Sequence, residues 1–243
     1  FSVVNLSEPQ ILKEEFSAFG TMHFKETALK VTFSDQVRDF RYRLSECQVE
    51  DERLELILQD EFYPFRIHLF YEVFPEADLI RRWSSAENTG SEPIVIERFC
   101  SAQFGLPGTG YTSLNYNGRW GAEFLEQSDP VTVGKKVHES LYGLTAHTAN
   151  PVFLVHKNAT ETTGDVYYGA LSYSGNFKVT VEAVNAGFTN ILIGMNDTDF
   201  SWRLNAGETF TTPAVYAGYS DGGFEKMTHT LHSFALEQLI PRE

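Results

Sequence analysis

Cysteine, basic charge and long apolar runs are all scarce in this 243-residue sequence, and each scarcity removes a class of protein. Two cysteines, Cys47 and Cys100, cannot supply the disulfide framework on which small secreted domains depend, and they read as two free, mostly buried thiols. Lys and Arg number 19 against 33 Asp and Glu, a formal net charge of -14. Such a field repels phosphate backbones and anionic headgroups, so nucleic acid and membrane surfaces are poor partners. No stretch approaches the roughly 20 apolar residues that span a bilayer, and the first residues lack a basic region followed by an apolar run. The opening Phe1-Ser2-Val3-Val4 has no initiator Met, which leads us to expect part of a longer polypeptide.

Chemical motifs are equally sparse. The sequence contains no phosphate loop, dinucleotide glycine fingerprint, Gly-x-Ser-x-Gly elbow or His-Glu-x-x-His helix. Its histidines are scattered, without the flanking carboxylates or cysteines of a metal site, so neither metal nor cofactor is expected. His229 and His232 lie three apart, a spacing open to a metal pair, although a solvated helix face is the favoured reading. Asn5, Asn158 and Asn196 head glycosylation tripeptides too short to carry weight for localisation.

What is present is core-forming material: 42% of residues are hydrophobic and 14% aromatic. A chain of this size can bury about 70% of its unfolded surface. Alternation with a period of two runs through Leu54, Leu56 and Leu58 and through Ile67, Leu69, Tyr71 and Val73, the pattern of half-buried antiparallel strands. Further strands are expected over 28–33, 37–44, 94–99, 131–139, 166–173, 177–184, 189–193 and 215–219. Turn signals at Asn88-Thr89-Gly90, Pro107-Gly108, Asn117-Gly118, Ser174-Gly175-Asn176 and Asn205-Ala206-Gly207 separate them. Strand, turn, strand without intervening helices predicts an all-β antiparallel sandwich over 1–220. One helix is expected within 221–243, where Phe224, Met227, Leu231, Phe234 and Gln238 recur at three- and four-residue spacing.

Paired carboxylates are what glycoside hydrolysis requires, but Glu50-Asp51-Glu52 reads as a charged turn. Asp197 and Asp199 are sequence neighbours too, and neighbours rarely face each other across a scissile bond; Asp199, beside Phe200 and Trp202, suits a tight turn. Trp83 and Trp202 read as core. Trp120 has two readings side by side, a core ring or an exposed platform, because Gly118 and Gly121 flank it.

The segment Gly118-Arg119-Trp120-Gly121-Ala122-Glu123 and the stretch from Ser140 to His147-Thr148-Ala149-Asn150-Pro151 resemble motifs of the N-terminal domain of family 36 glycoside hydrolases, the bacterial-type α-galactosidases. Gly164-Asp165-Val166-Tyr167, Tyr173 to Phe177, Gly194-Met195-Asn196, Asp199 to Trp202, Gly207 to Phe210, Thr212-Pro213 and Tyr219-Ser220-Asp221 continue the resemblance in order. Residues 20–28 depart from it, with His23, Lys25 and Thr27 where the family has Asp, Arg and Pro. The loss of a carboxylate and guanidinium puts an inter-subunit or substrate role for that segment in question.

The resemblance implies a large β-supersandwich, akin in shape to the galactose mutarotase sandwich, followed by a (β/α)8 barrel. That barrel would carry the two catalytic aspartates of a retaining mechanism beyond Glu243. No catalytic residue is then expected in this chain, and the family's opening strands would precede Phe1. Trp120, Glu123, His147 and Asn150 are the candidate contacts to barrel or sugar. The implied partners are the barrel, α-galactosides such as melibiose or raffinose, and further copies in a tetramer, in a bacterial cytoplasm. A stand-alone carbohydrate-binding module is the alternative.

Overall fold

The computed structural model describes residues 14–20 and 25–240; Asn5, His23 and the Phe1-Ser2-Val3-Val4 opening lie outside them. Among the described residues sixteen strands follow one another in chain order. The first six are β1 (Leu29–Thr32), β2 (Tyr42–Glu50), β3 (Arg53–Asp60), β4 (Phe65–Phe74), β5 (Leu79–Asn88) and β6 (Ile94–Pro107). Next come β7 (Thr112–Arg119), β8 (Ala122–Pro130), β9 (Gly134–Glu139), β10 (Val152–His156) and β11 (Val166–Leu171). The last are β12 (Phe177–Val184), β13 (Phe188–Met195), β14 (Trp202–Leu204), β15 (Thr209–Thr211) and β16 (Val215–Ser220). A 3-10 turn at Pro75–Ala77 precedes β5, and helix α1 (Gly223–Phe234), continued by a wider π turn over Ala235–Leu239, follows β16, so the chain is an all-β antiparallel supersandwich with a short C-terminal helix.

A ten-stranded sheet, ordered β2-β3-β4-β5-β16-β11-β10-β7-β8 with β15 on β5, faces a five-stranded one, ordered β1-β6-β13-β12 with β14 on β6. Between them lie two clusters. One gathers Leu29, Val31, Phe65, Ile67, Leu69, Ile96 and Phe99; the other gathers Phe153, Val155, Phe177, Val179, Val181, Ile191 and Ile193. The alternation read from the sequence is this inward face at Leu56, Leu58, Ile67, Leu69 and Tyr71, but Val73, near the end of β4, is exposed. A third cluster lies beneath α1, where Met227 and Phe234 pack on Leu79, Leu154, Val166 and Tyr168.

The helix begins without a side-chain cap. The N–H groups of Phe224 and Glu225 instead donate to the carbonyls of Thr160 and Glu161, satisfying donors that a helix start leaves open. Gly223 sits at φ +73, and a Cβ there would lie 2.3 Å from the Thr160 oxygen.

Several sequence expectations need correction. Of 37–44, only Tyr42, Arg43 and Leu44 are strand, because a turn with Gln36 at φ +71 returns the Val37 carbonyl to the Phe33 N–H. The strand expected from Val131 starts at Gly134, after Pro130 has closed β8. Cys100 is buried but Cys47 is exposed, since β2 is an edge strand. Trp83 is half-buried and stacks on Phe70 at 4.9 Å, while Trp202 leans on Phe210 at the sandwich rim. Asp199 occupies a turn at φ +55.

Candidate functional site

The β7–β8 hairpin carries Trp120 at its tip. Pairing runs from Thr112 opposite Pro130 to Arg119 opposite Ala122, leaving Trp120 and Gly121 to reverse the chain. Gly121 is at φ +76, and a Cβ on Gly118 would come within 2.4 Å of the Ala122 oxygen, so the arms close only around glycine. The indole is 88% exposed, which settles it as a surface ring. Glu123 turns back to accept the Gly121 N–H at 2.8 Å. That bond holds its carboxyl below the usual range, and the charge of His147 adds to the effect.

The second segment, residues 140–151, is tied by its hydrogen bonds to the connection between β11 and β12. Ser140 N–H donates to Phe177 O, Gly143 N–H to the Asn176 side chain and Thr145 N–H to Ser174 O. Asn150 Nδ2 donates to Tyr116 O at 2.9 Å, tying this segment to the hairpin, while Ala149 is buried in the core. His147 thus lies close enough to Glu123 to act on its charge, and Asn150 reaches the same hairpin further from its tip, at Tyr116. Trp120 stands beyond them at the tip.

Sequence reasoning missed the apolar border of this region: Phe124, Leu125, Leu141, Tyr142 and Leu144 are exposed, and Phe124 packs against Tyr116 with ring centroids 6.5 Å apart. The signal was Leu141-Tyr142-Gly143-Leu144, apolar residues on a glycine turn with no strand to bury them. The arrangement is suited to binding rather than proton transfer. A general acid needs a raised pKa in a closed pocket, whereas Glu123 is exposed and held ionised by its own turn.

The segment that departs from the expected family pattern is anchored by charge. Lys25, its side chain almost wholly buried, pairs with Glu14 at 3.1 Å. Glu26 pairs with Arg98 and Lys135, and its N–H donates to Glu182 at 2.8 Å. Arg98 also donates from Nε to Asp197 at 2.6 Å, and Asp197 accepts from Lys178 at 2.9 Å. Burial alone would raise the Glu26 pKa, but Lys135 and Arg98 outweigh it and hold the group down at about 2. Asp197 is thus committed to an ion network with Arg98 and Lys178.

Comparison with known proteins follows the same outline. The profile of the glycosyl hydrolase family 36 N-terminal domain matches residues 4–205. Alpha-galactosidase AgaA of Geobacillus stearothermophilus is 32% identical over 241 residues, covering 91% of this chain and 33% of that protein. Probable alpha-galactosidase G of Aspergillus terreus is 34% identical over 184 residues, covering 75% of this chain and 25% of its own. A crystal structure of an AgaA variant in complex with stachyose superposes with a TM-score of 0.90 at 29% identity, covering 94% of this chain and 34% of that one. The galactosidase domain of AgaSK gives 0.82 at 28% identity, covering 89% and 33%. The chain thus spans about a third or less of the proteins it matches.

Proposed function

The chain belongs to the glycosyl hydrolase family 36 N-terminal domains, and from that premise we propose that it is the non-catalytic sandwich of an α-galactosidase acting on terminal α-galactosides such as melibiose or raffinose. Its work is to pack against the catalytic barrel and to support assembly of the oligomer, a tetramer in this reading. The observation that carries this is the exposed indole of Trp120 on a glycine-closed hairpin whose second strand carries exposed Phe124 and Leu125 near its start. A rigid arm ending in an aromatic ring suits an anchor in another surface. Cys47, a free thiol on the surface, suits a reducing compartment and hence the cytoplasm.

The test has two arms. In the protein containing this chain and its barrel, Trp120→Ala should lower kcat/KM on melibiose about tenfold, the loss of one buried anchor. The 243-residue chain alone should not turn over a nitrophenyl α-galactoside. Turnover by the pure chain would overturn the non-catalytic reading. A stand-alone carbohydrate-binding module is the second reading, favoured by the same exposed indole; calorimetry showing sub-millimolar galactose binding that Trp120→Ala abolishes would select it.

A further inference from the structure

β2 is the outermost strand of the ten-stranded sheet, at the opposite side from β8, and every residue after Tyr42 is exposed on both faces. Its outer hydrogen-bonding edge is unpaired among the described residues. Neither proline nor lysine, common guards of such edges, occurs in it. One bulge interrupts it at Ser45, whose hydroxyl donates to Ile57 O at 2.9 Å. Pairing with β3 sorts its side chains: Leu44, Cys47 and Val49 share a face with Leu58, Leu56 and Leu54. Arg43, Glu46, Gln48 and Glu50 lie on the other. Among the described residues no hydrogen bond or ion pair engages the side chains of Arg43 or Glu50.

We propose that β2 pairs antiparallel with β2 of a second copy of this chain, with Cys47 facing Cys47 across the two-fold axis. In that register Glu46 faces Gln48, Leu44 faces Val49, and Arg43 faces Glu50, with Ser45 left out of the pairing as it is against β3. The ion pair forms twice, because a two-fold interface repeats every contact. Neighbouring registers that keep the faces matched are disfavoured. Centring on Glu46 sets it against its own copy, and centring on Gln48 sets Glu46 against Glu50. Like charges directly opposite destabilise a strand pair. The charge pattern of the strand therefore selects one register, and the two ten-stranded sheets become continuous. A single strand buries far less than the roughly 1,600 Å² of a standard interface, so the association is weak.

Sedimentation velocity of the 243-residue chain from micromolar to millimolar concentration should show a monomer–dimer equilibrium. Arg43→Glu and Glu50→Arg should each raise the dissociation constant about tenfold, and the double reversal should restore it, since each exposed pair is modest but occurs twice. Unchanged melting temperatures establish that all three variants fold. Directly opposed antiparallel Cα atoms lie about 4.5 or 5.5 Å apart, within disulfide reach. Diamide, accepting two protons and two electrons from two thiols, should therefore join Cys47 to Cys47. The single reversals should slow that reaction and the double reversal should recover it. Cys100 stays out of the reaction, buried with its thiol pushed up to about 12. A strict monomer at millimolar concentration, a dimer indifferent to the single reversals, or the lack of a Cys47–Cys47 product would each overturn the proposal.

Discussion

Replacing Glu26 by Gln removes one carboxylate from a network that holds Arg98, a side chain only 7% exposed, and the consequence depends on pH in a calculable way. In the folded chain Glu26 titrates at about 2 against an ordinary 4.5. That difference corresponds to about 3 kcal/mol in favour of the folded state when the group is ionised. Because the folded value is the lower one, the contribution is complete above about 4.5 and is lost as the pH falls through about 2. Lys135 is half exposed, so added salt should trim the figure, whereas the Arg98 contact should resist it.

The assay is urea unfolding followed by tryptophan fluorescence, run on both proteins from neutral pH downward. The Gln variant should be about 3 kcal/mol less stable at neutral pH, and the two curves should converge near a pH of about 2. Asp60 acts in the opposite sense, since burial raises its pKa, but it is common to both proteins and cancels in the difference. A gap that stays constant across the range, or no gap at neutral pH, would refute the account of Glu26 as the titrating member of the network.

Other outcomes follow from single sites. His138, bonded to Ser113 at 3.1 Å, is pushed down to about 4 by burial and by Lys136. Its neutral form is the folded one, so stability should fall by about 3 kcal/mol between 6.5 and about 4, a slope that His138→Gln should flatten in urea titrations. Trp120→Ala should move the melting temperature little, since surface substitutions stay within about 0.5 kcal/mol. Gly223→Ala should lower stability by about 2 kcal/mol through its positive φ and its contact with Thr160. Phe234→Ala, which empties a site under α1, should cost about 3 to 4 kcal/mol, measured by denaturant unfolding.

β4 was readable because it alternates between a dry and a wetter face, whereas β12 and β13, buried almost throughout, were readable as short β-branched apolar runs bounded by turn residues. β8 was illegible because the hairpin projects past the core, so most of Ala122–Pro130 faces solvent and leaves no periodic trace. In β5 the inward position of Arg82 hides the pattern. Its guanidinium is buried between the rings of Tyr71 and Phe104 and donates to Gln103 O, partners from other strands that no local window contains. At the candidate site, the turn expected at Asn117-Gly118 falls three residues later, at Trp120-Gly121, because Gly118 is a bulge inside β7 that lets the Ala122 carbonyl approach rather than the point of reversal. The neighbourhood of Glu123 with His147 comes from the Asn150 bond to Tyr116, a contact between residues 34 positions apart.

The pairing order of the larger sheet bears on how the chain is made. Arg82 of β5 pairs with Val215 of β16, and Ile94 of β6 with Leu204 of β14. β4 precedes β5, but a ribosome must add about 130 residues after β5 before its second neighbour, β16, exists, roughly 7 to 25 s at ordinary elongation rates. For most of that interval one flank of β5 is available to other nascent chains and to chaperones, as is one flank of β6 until β13 and β14 have been made. Slowing translation within residues 90–200 should thus raise the aggregated fraction, whereas slowing it after Ser220 should leave the yield unchanged.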